Sequence, residues 1–204
     1  MNCYIFDVDG TLIDSSGVYL PALEQVLEER GCTHTPEMLK KAFGMTGRQG
    51  LTYFGIPEEQ QDEVMHRWES LAYSNLLQVK IYDGILDTLR ALREGGNRLG
   101  VVTSRTCVQF DGGVKPLGLG EYFDTIVCSD EVAHPKPAPD AVFECLRRLG
   151  ASPEQALYIG DSAFDMQCAQ SAGVKSALAL WGCHEPEKLT ADVRLSHPSE
   201  ILTL

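Results

Sequence analysis

The run Cys3-Tyr4-Ile5-Phe6-Asp7-Val8 is apolar almost without a break and stops at an acidic, glycine-containing turn, Asp9-Gly10-Thr11. A strand with one wet face alternates apolar and polar residues, so an unbroken run of aromatic and β-branched residues predicts a strand covered on both faces. Runs of the same kind recur at 99–103, 125–128, 157–159 and 176–181. Between them the pattern turns helical. Leu86, Leu89, Ala91 and Leu92 recur at helical spacing and stop at Gly95-Gly96. A second helix opens near Pro139, with Val142, Phe143, Leu146 and Leu149 expected on one face and Gly150 just past its end. A third runs from Asp161 through Met166, Ala169 and Ala172 to Gly173. Strand and helix alternate from Gly84 onward, which predicts an α/β fold: a parallel sheet flanked by helices on both faces.

Residues 15–80 interrupt that alternation. Val18–Arg30 reads as a helix stopped by Gly31, and Pro36–Phe43 as another stopped by Gly44. Pro57 opens a longer helix through Val64, Trp68, Leu71 and Leu76, and no strand pattern falls in this stretch. An all-helical segment inserted after the first strand predicts a cap over the sheet's ligand edge. The expected layout is a core domain of residues 1–14 and 81–204 with a helical cap domain of residues 15–80. Gly44–Gly50 is expected to be a glycine-rich loop of the cap, and Tyr53, Phe54, Trp68 and Tyr73 to pack its interior. The span Thr106–Gly120 resists assignment, because Gly112-Gly113 and Pro116 weaken any helix there.

Charge narrows the function classes. With 17 Lys+Arg against 29 Asp+Glu, the 204-residue chain carries a net charge of −12. It offers no diffuse basic surface for a nucleic-acid backbone or an anionic membrane, and an anionic ligand would need a local cation. No apolar run reaches the roughly 18 residues of a membrane span, and the N-terminus lacks the features of a secretory signal. Seven scattered cysteines without C-x-x-C spacing read as reduced, mostly buried thiols. The expectation is a cytoplasmic protein, monomer or weak dimer, with no nucleic-acid or membrane partner.

Ligands of open α/β sheets bind beyond the carboxyl ends of the strands. There the sequence places Asp7 and Asp9, then Thr103 and Ser104, then Lys136 in His134-Pro135-Lys136-Pro137, then Asp161 and Asp165. Two carboxylates about 4 Å apart repel by roughly 4 kcal/mol at an effective dielectric near 20, and two more add to it. Either some are protonated or a cation sits among them. Oxygen donors with no His or Cys beside them favour Mg²⁺ over zinc or copper. Such a set can transfer a phosphoryl group. One aspartate attacks phosphorus, and a second, two residues on, serves as acid and then as base. The Thr103 hydroxyl and the Lys136 ammonium can hold the non-bridging oxygens, and N–H groups of the Asp9-Gly10-Thr11 turn can add a nest for them.

Asp7-Val8-Asp9-Gly10-Thr11-Leu12 resembles the first motif of the haloacid dehalogenase-like hydrolases. Thr103 after Val101-Val102 is similar to the second motif, Lys136 before Pro137 to the third, and Gly160-Asp161-Ser162-Ala163-Phe164-Asp165 to the fourth. The helical insert between the first two motifs resembles the subfamily with a C1 cap, in the manner of its phosphoglycolate phosphatase and pyrophosphatase-type members. The resemblance covers nearly the whole chain. It implies a Rossmann-like core with an inserted all-helical cap, Mg²⁺ as cofactor and a small phosphorylated metabolite as substrate. By position it implies Asp7 as nucleophile and metal ligand, and Asp9 as acid/base with its main-chain carbonyl on the metal. Thr103 and the backbone at Ser104 would bind phosphate, with Gly10 and Thr11 in the phosphate-facing turn. Lys136 would neutralise the nucleophile and phosphoryl group, Asp161 would ligate the metal, and Asp165 would support the metal or Lys136. True dehalogenases of the family lack the second carboxylate, so Asp9 sets carbon–halogen cleavage aside.

Two arginines are open. Arg48, in the loop Gly44–Gly50, is either a substrate-binding residue reaching the non-reacting end or a solvated surface arginine. Arg105, directly after the second motif, either helps with phosphate or sits at a helix N-terminus on the surface. The expected function is a Mg²⁺-dependent phosphatase hydrolysing a small phosphomonoester, phosphoglycolate-like or similar, through an aspartyl-phosphate. A phosphomutase resembling β-phosphoglucomutase is the enzymatic alternative, told apart by whether a sugar 1-phosphate yields the 6-phosphate or free phosphate. A non-hydrolytic phospho-receiver or binding protein is the other alternative. The helical insert and Asp9 stand against it, since a receiver needs a lasting phosphoaspartate.

Overall fold

A computed structural model describes residues 1–204. Six parallel strands form one sheet in the order β5-β4-β1-β6-β7-β8. They are β1 (Cys3–Phe6), β4 (Arg98–Val102), β5 (Thr125–Val127), β6 (Ala156–Gly160), β7 (Lys175–Ala179) and β8 (Val193–Leu195). The apolar runs predict the first five; β8, a short edge strand, carries no such run. From β1 the chain builds outward through β4 and β5, then returns to β1's other side as β6. The order therefore reverses between β1 and β6, and a crevice opens beyond the carboxyl ends of these strands.

Why β1 is apolar throughout is visible in its packing. Tyr4 and Phe6 point into one core with Leu89, Leu92, Phe110 and Ile201. Cys3 and Ile5 point into the other, with Val142, Cys145, Leu146 and Tyr158. Successive side chains of a strand face opposite ways, so a strand covered on both sides needs apolar residues at every position. The covering helices are α5 (Ile85–Glu94), α6 (Cys107–Gly113), α7 (Asp140–Leu149) and α8 (Ala163–Ala172). On α7 the buried residues are Ala141, Val142, Cys145, Leu146 and Leu149, whereas Phe143 is exposed. The expected face is thus corrected: Phe143 follows Val142 by about 100° of helical rotation and turns outward. Within Thr106–Gly120, α6 forms because Thr106 and Gln109 cap it reciprocally, and two 3₁₀ turns follow.

Between β2 (Ile13–Asp14) and β3 (Lys80–Ile81) lie α1 (Ser16–Glu29), α2 (Pro36–Phe43), α3 (Gly47–Tyr53) and α4 (Glu58–Tyr73). β2 and β3 pair antiparallel, Ile13 opposite Ile81 and Asp14 opposite Lys80, so the chain leaves the sheet and returns to it through one two-stranded ribbon. The four helices share a small core of Leu23, Val26, Leu27, Leu39, Leu51 and Val64. Helix α3 corrects the expectation of a loop at Gly44–Gly50: the Thr46–Gln49 capping box starts a helix despite Gly47 and Gly50. Of the cap aromatics, Phe54 is buried, but Tyr53 and Tyr73 are exposed. Leu76 lies past α4, in a 3₁₀ turn. No helix is long and apolar enough to cross a membrane.

Candidate active site

The strand ends deliver their polar residues to one place. The Asp7 N–H still bonds to the Ile159 carbonyl at 2.9 Å, so the ladder carries that carboxylate just past the sheet edge. Lys136 Nζ donates to Asp7 Oδ1 at 2.7 Å and to Asp165 Oδ1 at 2.8 Å, and all three side chains are buried. Asp165 is held on both oxygens. Tyr158 OH donates to Oδ1 at 3.0 Å, while the Ser162 N–H and hydroxyl donate to Oδ2 at 3.0 and 2.5 Å. Asp161 accepts from the Thr11 hydroxyl at 3.0 Å. Carboxylate oxygens of Asp7, Asp161 and Asp165 lie within 4.8 Å of one another.

Three buried carboxylates with one ammonium leave negative charge uncompensated. Burial, then the charge of Asp165, pushes the Asp7 carboxyl up to about 7 despite Lys136. Burial, with Asp165 and Asp7 next, carries Asp161 well above the usual carboxylate range. Burial disfavours the charged form of Lys136, but Asp165 and Asp7 outweigh it and hold the ammonium charged. The donor set is hard oxygen throughout, and its charge excess is what a divalent cation of the Mg²⁺ type relieves.

Asp9 is not in that cluster. Its carboxylate accepts from Arg105 Nε at 2.7 Å and Nη2 at 2.6 Å, and from the Ser15 hydroxyl. Burial works upward on Asp9, but the Arg105 charge and its hydrogen bonds prevail and lower its pKa. Arg105 also donates to Tyr19 OH at 2.9 Å and lies over the Tyr19 ring, 4.6 Å from its centroid. A surface place for Arg105 is corrected: it is 7% exposed and lies in the cleft. Its signal in the sequence is its position three residues past the end of β4, beside Ser104, which also lines the cleft.

The phosphate-facing donors differ from expectation in two places. Gly10 and Thr11 close their own turn, Gly10 N–H to Ile13 O at 2.9 Å and Thr11 N–H to Val8 O at 3.3 Å, so neither N–H is open to a ligand. Their work is to place Asp161: Thr11 bonds it, and a Cβ on Gly10, whose φ is +82°, would come within 2.3 Å of Asp161 Oδ2. The N–H groups of Val8, Asp9 and Ser104 donate to no backbone carbonyl. Thr103 is buried, and its oxygen accepts the Arg105 N–H at 3.1 Å, which leaves its O–H to donate elsewhere. The Ser104 hydroxyl bonds to Gly44 O of the cap at 3.2 Å. Arg48 is not brought to the site. It is exposed on α3 and paired with Asp62 of α4, and Gln49, its neighbour, is the residue that crosses to the core, bonding Lys136 O at 3.2 Å.

This fold and this cluster define a Rossmann-like α/β core with a helical cap, its acidic centre at the sheet's reversal point. The chain belongs to the haloacid dehalogenase-like hydrolases, whose family model matches residues 4–179. It is 34% identical to a phosphoglycolate phosphatase of Aquifex aeolicus, covering 100% of this chain and 96% of the relative. It is 31% identical to the pyrophosphatase PpaX of Bacillus velezensis, over 97% of this chain and 93% of the relative. A crystal structure of a Lactobacillus plantarum protein, provisionally assigned as a phosphoglycolate phosphatase, superposes with a TM-score of 0.89 at 30% identity, covering 99% and 98% of the two chains. The chain is therefore an enzyme of that hydrolase family.

Proposed function

We propose that the chain is a magnesium-dependent phosphatase that takes the phosphoryl group of a small phosphomonoester onto Asp7 and passes it to water. The observation that carries this reading is the buried set of Asp7, Asp161 and Asp165 around the single ammonium of Lys136, with a second aspartate two residues from Asp7 but held apart from it. The phosphatase and pyrophosphatase names of the relatives support the same chemistry.

Asp7, Asp161 and the main-chain carbonyl of Asp9 would hold the ion, with Asp165 beside it; when bound, it offsets their charge and draws electron density from the phosphoryl oxygens. Lys136 fixes Asp7 through Oδ1, which leaves Oδ2 for attack on phosphorus. Asp165 acts through Lys136: held on both oxygens, it has little freedom to leave that ammonium. The Thr103 hydroxyl and the N–H groups of Val8, Asp9 and Ser104 stabilise the non-bridging oxygens as charge grows on them. Asp9, ionised beside Arg105 in the free enzyme, takes up a proton as the phosphoryl dianion arrives next to it, and gives that proton to the leaving oxygen as the P–O bond breaks. The resulting carboxylate takes a proton from water, which attacks the phosphorus of phospho-Asp7 and releases phosphate with Asp7 restored. Contacts of Gln49 and Ser104 across the cap boundary keep bulk water from the centre while this happens.

The test is phosphate release from an aryl phosphate such as p-nitrophenyl phosphate. Activity is expected with magnesium and lost with a chelator. Asp7→Asn is expected to lower it by about 10³-fold or more, as removal of a nucleophile does. Well-folded protein without magnesium-dependent turnover over a broad panel of phosphate esters overturns the reading.

A further inference from the structure

The cleft that contains Asp7, Asp9 and Lys136 continues upward between the sheet edge and the cap. Its cap wall is apolar, made by Leu20, Leu23, Phe43, Met45, Met65 and Trp68, and the one charged side chain on that wall is Glu69. Glu69 Oε1 accepts from Gln109 Nε2 at 2.7 Å, and Oε2 accepts from no protein donor. The Trp68 indole N–H is already bonded to Tyr19 O at 3.0 Å. Two cations line the cleft, and each is matched: Lys136 lies between Asp7 and Asp165, and Arg105 is bonded twice to Asp9. Lys40 and Lys41 do not reach this space. They line a separate crevice on the other side of Phe43–Gly44, and Lys41 Nζ sits 5.2 Å from the Tyr53 ring centroid.

Away from the reacting centre, a leaving group in this cleft meets the apolar cap wall and the Glu69 carboxylate, and Arg105 lies across the cleft, bonded to Asp9 and Tyr19. A second anionic group on the substrate would face Glu69 with nothing to balance it, and burying an unpaired charge is strongly unfavourable. A hydrogen-bond donor there meets the open oxygen of Glu69, and an ammonium gains a charge-assisted bond beside an indole face. The cleft holds only about 70 Å³ of open space, a few water molecules' worth, so the group is short.

We propose that the leaving group of the substrate is a short alcohol without an anionic substituent, carrying an ammonium that pairs with Glu69, which sets the enzyme's specificity. This rests on the phosphatase reading above and narrows it, away from substrates with a carboxylate or second phosphate on the leaving side.

The experiment compares kcat/KM for three esters of similar size, 2-aminoethyl phosphate, ethyl phosphate and phosphoglycolate, with p-nitrophenyl phosphate as the reference, all with saturating magnesium. Aminoethyl phosphate is expected to exceed phosphoglycolate by about tenfold or more, with ethyl phosphate between them. Ratios between substrates are taken on one preparation, so partial unfolding of a variant cancels. Glu69→Gln is expected to bring the aminoethyl-to-glycolate ratio to within about threefold of unity, and Glu69→Lys to invert it. Phosphoglycolate as the best of the three in the parent enzyme, or a ratio unmoved by both substitutions, overturns the proposal while aryl phosphate turnover leaves the phosphatase reading standing. Absence of magnesium-dependent turnover of all four esters, and of a broad panel of phosphate esters, overturns both.

Discussion

Asp7 and Asp9 are two residues apart, yet their surroundings push them in opposite directions: burial and Asp165 raise the first, while Arg105 overcomes burial to lower the second. That contrast gives a test at the residue scale. A carboxyl whose folded pKa is raised from 3.8 to about 7 supports folding fully below about pH 4, and that support is lost as pH rises through 7. Metal-free protein is therefore expected to lose thermal stability between about pH 4 and 7 through this group, by an amount of order a few kcal/mol. Magnesium at pH 7 should restore it, and Asp7→Asn should blunt both effects. Thermal unfolding against pH, with and without magnesium, reads this directly; a metal-free protein that only gains stability from pH 4 to 7, alike in parent and variant, contradicts it. The same scale shows what a sequence can disclose. Asp7, Thr103 and Asp161 each follow an apolar run, so strand-end reasoning alone places them at one edge. Arg105 and Glu69 are different: their meaning lies in partners 96 and 40 residues away along the chain, Asp9 and Gln109, and no local pattern encodes those pairings.

At the scale of elements, the parallel strands were legible because burial on both faces leaves an unmistakable apolar run, and β8 was not, because an edge strand of three residues with an exposed centre has none. Helix α3 was hidden by its glycines, yet its start is written in Thr46-x-x-Gln49, as that of α6 is in Thr106-x-x-Gln109. Gly47 has a packing reason, since a Cβ there would lie 2.4 Å from Met65 Cε. The turn after β1 is the tightest of these constraints. At Gly10 an L side chain would have to adopt φ +82° and would strike Asp161. The left-handed conformation alone costs roughly 1–2 kcal/mol. Gly10→Ala is therefore expected to lower stability by about that much and, by displacing Asp161, to weaken magnesium binding by about tenfold or more. Calorimetric titration of magnesium into the variant checks this. Unchanged affinity would mean that Asp161 takes no part in holding the ion.

At the scale of the whole molecule, four hydrogen bonds join the cap to the core around the cleft: Gln49 to Lys136 O, Ser104 to Gly44 O, Gln109 to Glu69 and Arg105 to Tyr19. The chain as a whole carries a net charge of −12. A phosphomonoester near neutral pH is itself anionic, so it approaches a molecule that repels it over distances comparable to the Debye length, about 10 Å at 0.1 M salt. Inside the cleft the two cations are matched by carboxylates and project little field outward. The encounter is thus expected to speed up as salt screens the repulsion. With magnesium held saturating, kcat/KM for a dianionic phosphate ester should rise a few-fold as ionic strength goes from about 20 to about 200 mM. The rate at saturating substrate should change less, because the bound ester is already past the field. An enzyme that draws its substrate in through a positive funnel shows the opposite slope. A steep fall of kcat/KM with salt here would mean that an attractive patch outweighs the net charge, and the lysines at 40 and 41, beside the crevice next to Asp161, would be the residues to substitute in locating it.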